Sequence, residues 1–279
     1  MTSVRIITSA ILTDSKYFTK AYYLQIDFRP FRLMSFLGLS SDCLLCGCSV
    51  PFNHTIAGEI QNETIQNRVT NTFNQKICNS CHSHLPLSKQ TCFVCGLPST
   101  NSEIPCGECL KNSPPYDKTI SAFHYQQPIS DFITQYKYAG KLELLPLMTD
   151  YLIDAIEEYS KQKPALLIPI PLHYKKRNKR GFNQSRLIAN IISKHFDIPV
   201  SGKEISRTRQ TQTQASLDAT QRKRNLKNAF EIKQTLPERV AIIDDIVTTG
   251  TTVSELASLA LKNGAKHIEV WSLARAYSI

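Results

Sequence analysis

No stretch of this 279-residue chain approaches the length of a transmembrane helix, so no membrane insertion is expected. The first 33 residues lack a long apolar core, a small-residue cleavage site and a clean helical period, which excludes a persuasive secretory signal. Met34 opens Met-Ser-Phe-Leu-Gly-Leu just ahead of the first cysteine pair. Residues 1–33 are therefore expected to be either a non-native extension upstream of Met34 or a disordered tail. Acidic residues are scarce: 23 Asp and Glu face 33 Lys and Arg, a formal charge of +10. That excess points to a polyanionic partner, either nucleic acid or a phosphorylated small molecule. Hydrophobic and charged residues, at 42% and 20%, are ordinary for a globular protein, and the length allows one sizeable core plus a smaller domain.

Cysteine is the abundant exception. Eight of the nine fall in four Cys-x-x-Cys pairs, Cys43/Cys46, Cys78/Cys81, Cys92/Cys95 and Cys106/Cys109, leaving Cys48 over. Zinc takes four tetrahedral ligands and two such pairs supply four thiolates, so two structural Zn²⁺ sites are expected. Joining the first pair to the second and the third to the fourth closes two local ribbons; a crossed pairing, His82 or His84 as a substitute ligand, and a redox role are the alternatives. The Asn-, Gln- and Thr-rich stretch from Asn53 to Gln75 has little core-forming pattern and reads as a loop or disorder. Residues 34–115 thus form an expected cysteine-rich domain held together by metal, ending at Ser113-Pro114-Pro115.

From Tyr116 the texture changes, and residues 116–279 read as a second domain. Strands are expected at Lys118–Tyr125, Ala165–Pro171, Arg239–Ile243 and His267–Leu273. Helical spacing covers Ile129–Tyr138, Leu142–Tyr159, Phe182–Phe196 and Thr251–Asn263, with Gly264 as a stop. Strands alternating with helices predict an α/β fold with a parallel sheet.

The segment from Val240 to Thr252 carries the clearest chemistry. An apolar strand delivers Asp244 and Asp245 to its C-terminal end, and Thr248-Thr249-Gly250-Thr251-Thr252 leads into a helix. Ligands of open α/β sheets sit at that edge. Backbone N–H groups and hydroxyls at a helix N-terminus suit a phosphate, and Gly250 permits close approach. Carboxylates do not suit phosphate; they suit sugar hydroxyls, or Mg²⁺ shared with them. The bland alternative is a threonine-rich helix cap. The segment resembles the 5-phosphoribosyl-pyrophosphate (PRPP) signature of type I phosphoribosyltransferases. That resemblance implies a type I phosphoribosyltransferase-like fold, PRPP with Mg²⁺ at Asp244, Asp245 and Thr248 to Thr252, and Asp244 and Asp245 as the catalytic pair.

Two basic segments accompany it. Lys175, Lys176, Arg177, Lys179 and Arg180 lie within six residues, after the Ala165–Pro171 strand. Like charges at this density are solvated or face an anion. In phosphoribosyltransferases the loop after this strand holds pyrophosphate, which implies that role for Arg177 and Arg180. Residues 207–230 open with Arg207 and Arg209 and close with Arg222, Lys223, Arg224 and Lys227 around a Gln- and Thr-rich middle. This reads as a mobile lid or a single-strand backbone groove contacted by Arg207, Arg209, Arg222 and Arg224, against the alternative of a silent surface loop.

Together, Arg180-Gly-Phe-Asn-Gln-Ser185, the Arg-x-x-Asn-Leu-Lys-Asn-Ala-Phe230 segment and the Asp244–Thr252 loop, behind cysteine knuckles, resemble the ComF family of bacterial competence proteins. The resemblance spans roughly Cys43 to the C-terminus and leaves out residues 1–33. It implies a role in natural transformation, handling single-stranded DNA in the cytoplasm with other competence or DNA-processing proteins. A small-molecule salvage phosphoribosyltransferase, for which the cysteine region is an awkward addition, is the alternative; a zinc-ribbon binding module with a vestigial ligand site is a third reading. No base-recognition hood is legible, so neither an acceptor nor turnover itself is specified.

Overall fold

The computed structural model describes residues 41–50, 77–172, 180–208 and 229–277. Residues 1–33, the Asn53–Gln75 stretch, Arg177 and the lid arginines Arg209, Arg222 and Arg224 lie outside the described residues. In chain order the elements are β1 (Ser41–Asp42), β2 (Ser49–Val50), α1 (Asn79–Ser83), α2 (Gly107–Lys111), β3 (Lys118–His124), α3 (Ile129–Ala139), α4 (Leu145–Tyr159), β4 (Leu166–Pro169), α5 (Gln184–Phe196), β5 (Ile205–Arg207), β6 (Phe230–Ile232), β7 (Arg239–Val247), α6 (Thr251–Lys262) and β8 (His267–Arg275).

The main sheet has the order β3-β8-β7-β4, and every pairing in it is parallel. A parallel sheet needs both faces covered, and strand periodicity sorts β7 accordingly. Ala241 and Ile243 join one apolar cluster with Leu152 and Ile156 of α4 and Ile188 and Ile192 of α5. Val240 and Ile242 join a second with Val253, Leu256, Ala257 and Ala260, the i, i+3, i+4, i+7 stripe of α6. One strand thus feeds two cores, which accounts for its unbroken apolar run.

The helix ends follow local chemistry. Asn183 caps α5, its side chain accepting from the Arg186 N–H at 3.4 Å, so the helix starts two residues after Phe182. A proline in the first turn of α4 places its start at Leu145 rather than Leu142. Strand β7 runs to Val247, not Ile243, because β8 keeps pairing with it: Asp244 faces Ser272 and Val247 faces Arg275. The two aspartates therefore lie inside the strand, near its C-terminal end.

The cysteine region packs directly on edge strand β3. The Thr119 N–H donates to the Phe93 carbonyl at 2.9 Å and its hydroxyl to the Val94 carbonyl at 2.7 Å. Leu87 bridges Phe123, and the Ser88 N–H donates to the Ala122 carbonyl at 3.0 Å. The exposed edge of the sheet is thereby covered. Ser40–Ile279 forms one compact unit. No helix among the described residues is long and apolar enough to cross a membrane.

Candidate functional site

Asp244 and Asp245 are brought into one polar cluster at the C-terminal edge of the sheet by α3 and α5. The Lys137 ammonium of α3 pairs with Asp245 at 2.7 Å, and the Tyr136 hydroxyl donates to the same oxygen at 3.5 Å. The Ser185 hydroxyl, in the first turn of α5, donates to Asp244 at 3.2 Å. Backbone N–H groups complete the set: that of Asp245 donates to Asp244, and that of Ile246 to Asp245, each at 2.9 Å. Burial, then repulsion from Asp245, pushes the Asp244 carboxyl above its ordinary range, against the pull of Lys137. Burial and both carboxylates likewise raise Tyr136, so its phenol stays protonated and donating. These carboxylates are hard oxygen donors of the kind Mg²⁺ takes, so the pair fits a metal carried in with a phosphorylated ligand.

The loop after β7 supplies the other half of the site. Thr248 and Thr249 are exposed, the Thr249 and Thr251 hydroxyls lie 2.8 Å apart, and α6 begins at Thr251. Gly250 is left-handed at φ 75°, and a Cβ added there would meet the Tyr116 oxygen at 3.3 Å. Gly250→Ala is expected to cost about 1–2 kcal/mol from backbone conformation alone. Thermal melting should fall by about 2–8 °C.

Of the anticipated arginines, Arg180 and Arg207 are described. Arg180 stands over the Tyr138 ring at 5.3 Å, while Tyr136 stacks on Phe182 at 6.3 Å, so the turn into α5 borders the Asp245 cluster. Arg207 stands over Phe230 at 5.5 Å; burial loosens its hold on its proton, and the Asp244 carboxylate restores part of it. Lys137, Tyr136 and Ser185 were not singled out from sequence. The stretch Tyr136-Lys-Tyr138 before Gly140 gave only a helix end, and Ser185 only part of a motif.

The cysteines gather as two separate groups of four, Cys43/Cys46/Cys78/Cys81 and Cys92/Cys95/Cys106/Cys109, the ligand atoms of each lying within 4.8 Å of one another. Sulfurs of Cys46 and Cys78, and of Cys95 and Cys106, are 3.7 Å apart. A disulfide would need about 2.05 Å; four sulfurs about 2.3 Å from one zinc stand about 3.8 Å apart. Backbone N–H groups point at the sulfurs, from Cys78 to Cys43 at 3.3 Å and from Cys106 to Cys92 at 3.2 Å. Burial opposes ionisation of Cys43 and Cys92, but backbone donors outweigh it and hold both thiols below their usual range. Burial and neighbouring sulfurs push Cys81 and Cys109 up. Four sulfurs at this spacing fit the tetrahedral donor set that Zn²⁺ takes once they bind it as thiolates. Cys48 is exposed and stands outside both groups, as do His82 and His84.

No family model matches the chain. The DNA utilization protein YhgH of Escherichia coli (strain K12) is 38% identical over 204 residues, covering 71% of this chain and 90% of that protein. Competence protein F of Haemophilus influenzae is 35% identical over 208 residues, covering 72% of this chain and 90% of that one. Among solved structures, a purine phosphoribosyltransferase from Pyrococcus horikoshii is similar over 47% of this chain and 72% of its own, at 20% identity and a TM-score of 0.30.

Proposed function

The chain belongs to the family of competence protein F and the DNA utilization protein YhgH, and from that premise we propose that it handles single-stranded DNA in the cytoplasm during DNA uptake or utilization, through a site that takes PRPP or a related phosphoribose group. The observation that carries this is the junction of Asp244 and Asp245 with the Thr248–Thr252 turn at the start of α6. The carboxylates suit the ribose diol, and the helix N-terminus with its threonine hydroxyls suits the 5′-phosphate. Arg180 and Arg207, with Arg177 and Arg209 of the neighbouring segments, supply positive charge for the pyrophosphate or for the next phosphates of a strand. Among the described residues, the buried amide nitrogen of Gln184, next in sequence to Ser185, has no hydrogen-bond partner.

Mg²⁺, brought with pyrophosphate, would neutralise charge on the ligand. The chain's own residues orient the rest: Lys137 and Tyr136 fix Asp245, and Ser185 fixes Asp244. Such a site works by positioning and by stabilising charge at the ribose C1–oxygen bond, with no protein nucleophile required. The cysteine groups are structural on this reading.

The test is binding of a fluorescent single-stranded oligonucleotide with and without PRPP and Mg²⁺, compared with Asp244→Ala/Asp245→Ala. Affinity should drop by about tenfold or more between 50 and 200 mM salt if several phosphates are held. PRPP should compete, and the double variant should lose that competition. PRPP binding with no detectable DNA binding would overturn the nucleic-acid reading and leave the salvage transferase.

A further inference from the structure

The strongest unassigned feature is a buried arginine between the second cysteine group and the phosphate-binding turn. Arg275, the last residue of β8, is 4% exposed. Its Nε donates to the Cys95 carbonyl at 2.7 Å. Its Nη1 donates to the Val247 carbonyl at 3.0 Å, to the Ala276 carbonyl at 2.6 Å and to the Thr248 carbonyl. One guanidinium thus joins a metal-ligand residue to the two residues that lead into the Thr248–Thr252 turn. Charge this deeply buried is retained where acceptors surround it, and here they are main-chain carbonyls on three separate segments.

The Cys95 end of this link is set by the knuckle. The Gly96 N–H donates to the Cys92 carbonyl and the Cys92 N–H to the Leu97 carbonyl, each at 2.8 Å, so the Cys95-Gly96 turn is folded around the sulfurs. The turn is seated tightly: Gly96 is left-handed at φ 71°, and a Cβ there would come within 2.9 Å of the Thr119 methyl and 3.6 Å of the Arg275 side chain. Tyr116 borders the same space, next to Gly250. A zinc centre with four thiolates is anionic, so metal there also complements the buried guanidinium.

We infer that Arg275 is a positioning residue for the phosphate-binding turn, and that metal in the Cys92/Cys95/Cys106/Cys109 group sets the shape of that turn through it. When the metal leaves, the Cys95 carbonyl loses its fixed place and the Val247 and Thr248 carbonyls lose a rigid partner. Among the described residues, the Cys43/Cys46/Cys78/Cys81 group makes no hydrogen bond to Arg275 or to the turn. Its neighbours in the core are Leu85, Phe123 and Tyr151, toward α4. This rests on the ligand reading given above, but the coupling has its own readout.

The experiment is hydrogen exchange of the amides of residues 248–253 in the full chain, with zinc counted per chain and PRPP affinity measured by calorimetry. Arg275→Met and Cys106→Ser should each speed exchange of that turn by about tenfold or more, while amides in the middle of β7 and β8 stay protected. Both should weaken PRPP binding by about tenfold. Cys46→Ser should lose one zinc and change neither readout. Arg275→Lys should fall between wild type and Arg275→Met, since an ammonium cannot span the same acceptors. Should Cys106→Ser fail to fold, Arg275→Met against Cys46→Ser still decides. Unchanged exchange in folded Arg275→Met, or equal loosening by Cys46→Ser and Cys106→Ser, would overturn the inference. Wild type that binds no PRPP, yet shows the expected exchange pattern, would uphold the coupling and remove the ligand reading instead.

Discussion

Asp244→Asn should make the ligand-free protein more stable while removing most of its affinity for a phosphoribose ligand. Asp244 is forced to share a buried strand end with Asp245, and burial with that repulsion raises its pKa. Asparagine keeps an oxygen for the Ser185 hydroxyl and the Asp245 N–H, which are its present donors. It removes the charge that the site disfavours. A gain on the order of 1–2 kcal/mol is expected, the usual scale for relieving one of two like charges in a buried site, which corresponds to about 2–8 °C in melting temperature for a unit of this size. PRPP affinity should fall by about a hundredfold, since an amide cannot serve a diol or Mg²⁺ as a carboxylate does.

The pH dependence follows from the same shift. A carboxyl whose folded pKa lies above its unfolded value binds protons more tightly in the native state. Its contribution to stability is present below the unfolded value of 3.8 and is lost as pH rises through the folded one. The wild-type protein should therefore lose stability from this group as pH climbs out of the acidic range, and Asp244→Asn should lack that slope. A variant less stable than wild type near neutral pH would contradict the account of the site as strained by like charge.

Removing zinc should have the largest effect on the fold. The second cysteine group has little core beyond its own sulfurs: Cys92, Cys95 and Cys109 with Val94. The first contributes Cys43, Ile77 and Leu85 to the main core, and His82 meets the Tyr151 hydroxyl at 2.6 Å. Small metal-bound domains draw about 10 kcal/mol or more from the ion, and losing even part of that should lower melting by more than about 10 °C. Elemental analysis should give two zinc ions per chain, and after chelation residues 77–111 should lose exchange protection before β7 and β8 do. A chelated chain, shown to be metal-free, that melts as before would mean that packing alone holds the region.

The strands of the main sheet and the helices that cover it are legible in the sequence because their signals are local. The α6 stripe, the apolar run of β7 and the glycine stops each lie within a few residues of what they determine. The ends were less legible. β7 continues through Asp244 and Asp245 because β8 pairs with them and Lys137 and Ser185 satisfy them, which strand propensity alone does not anticipate.

The cysteine spacing specified metal chemistry but left the pairing of knuckles open; the tertiary structure decided it, bringing Cys46 and Cys78, 32 positions apart in the chain, to a sulfur separation of 3.7 Å. The Asp-Asp and Thr-Thr-Gly-Thr-Thr pattern specified a polar strand end ahead of a helix N-terminus. Which side chains meet there was a matter for the tertiary structure. Tyr136, Lys137, Ser185 and Arg275 come from three distant elements, and spacing along a chain carries no record of contacts made across a sheet. The link from Cys95 through Arg275 to Thr248 exists only because β3 and β8 bring a knuckle and a turn to opposite sides of one guanidinium. The chain by itself fixed the chemistry of each part; packing of the parallel strands decided which parts act on one another.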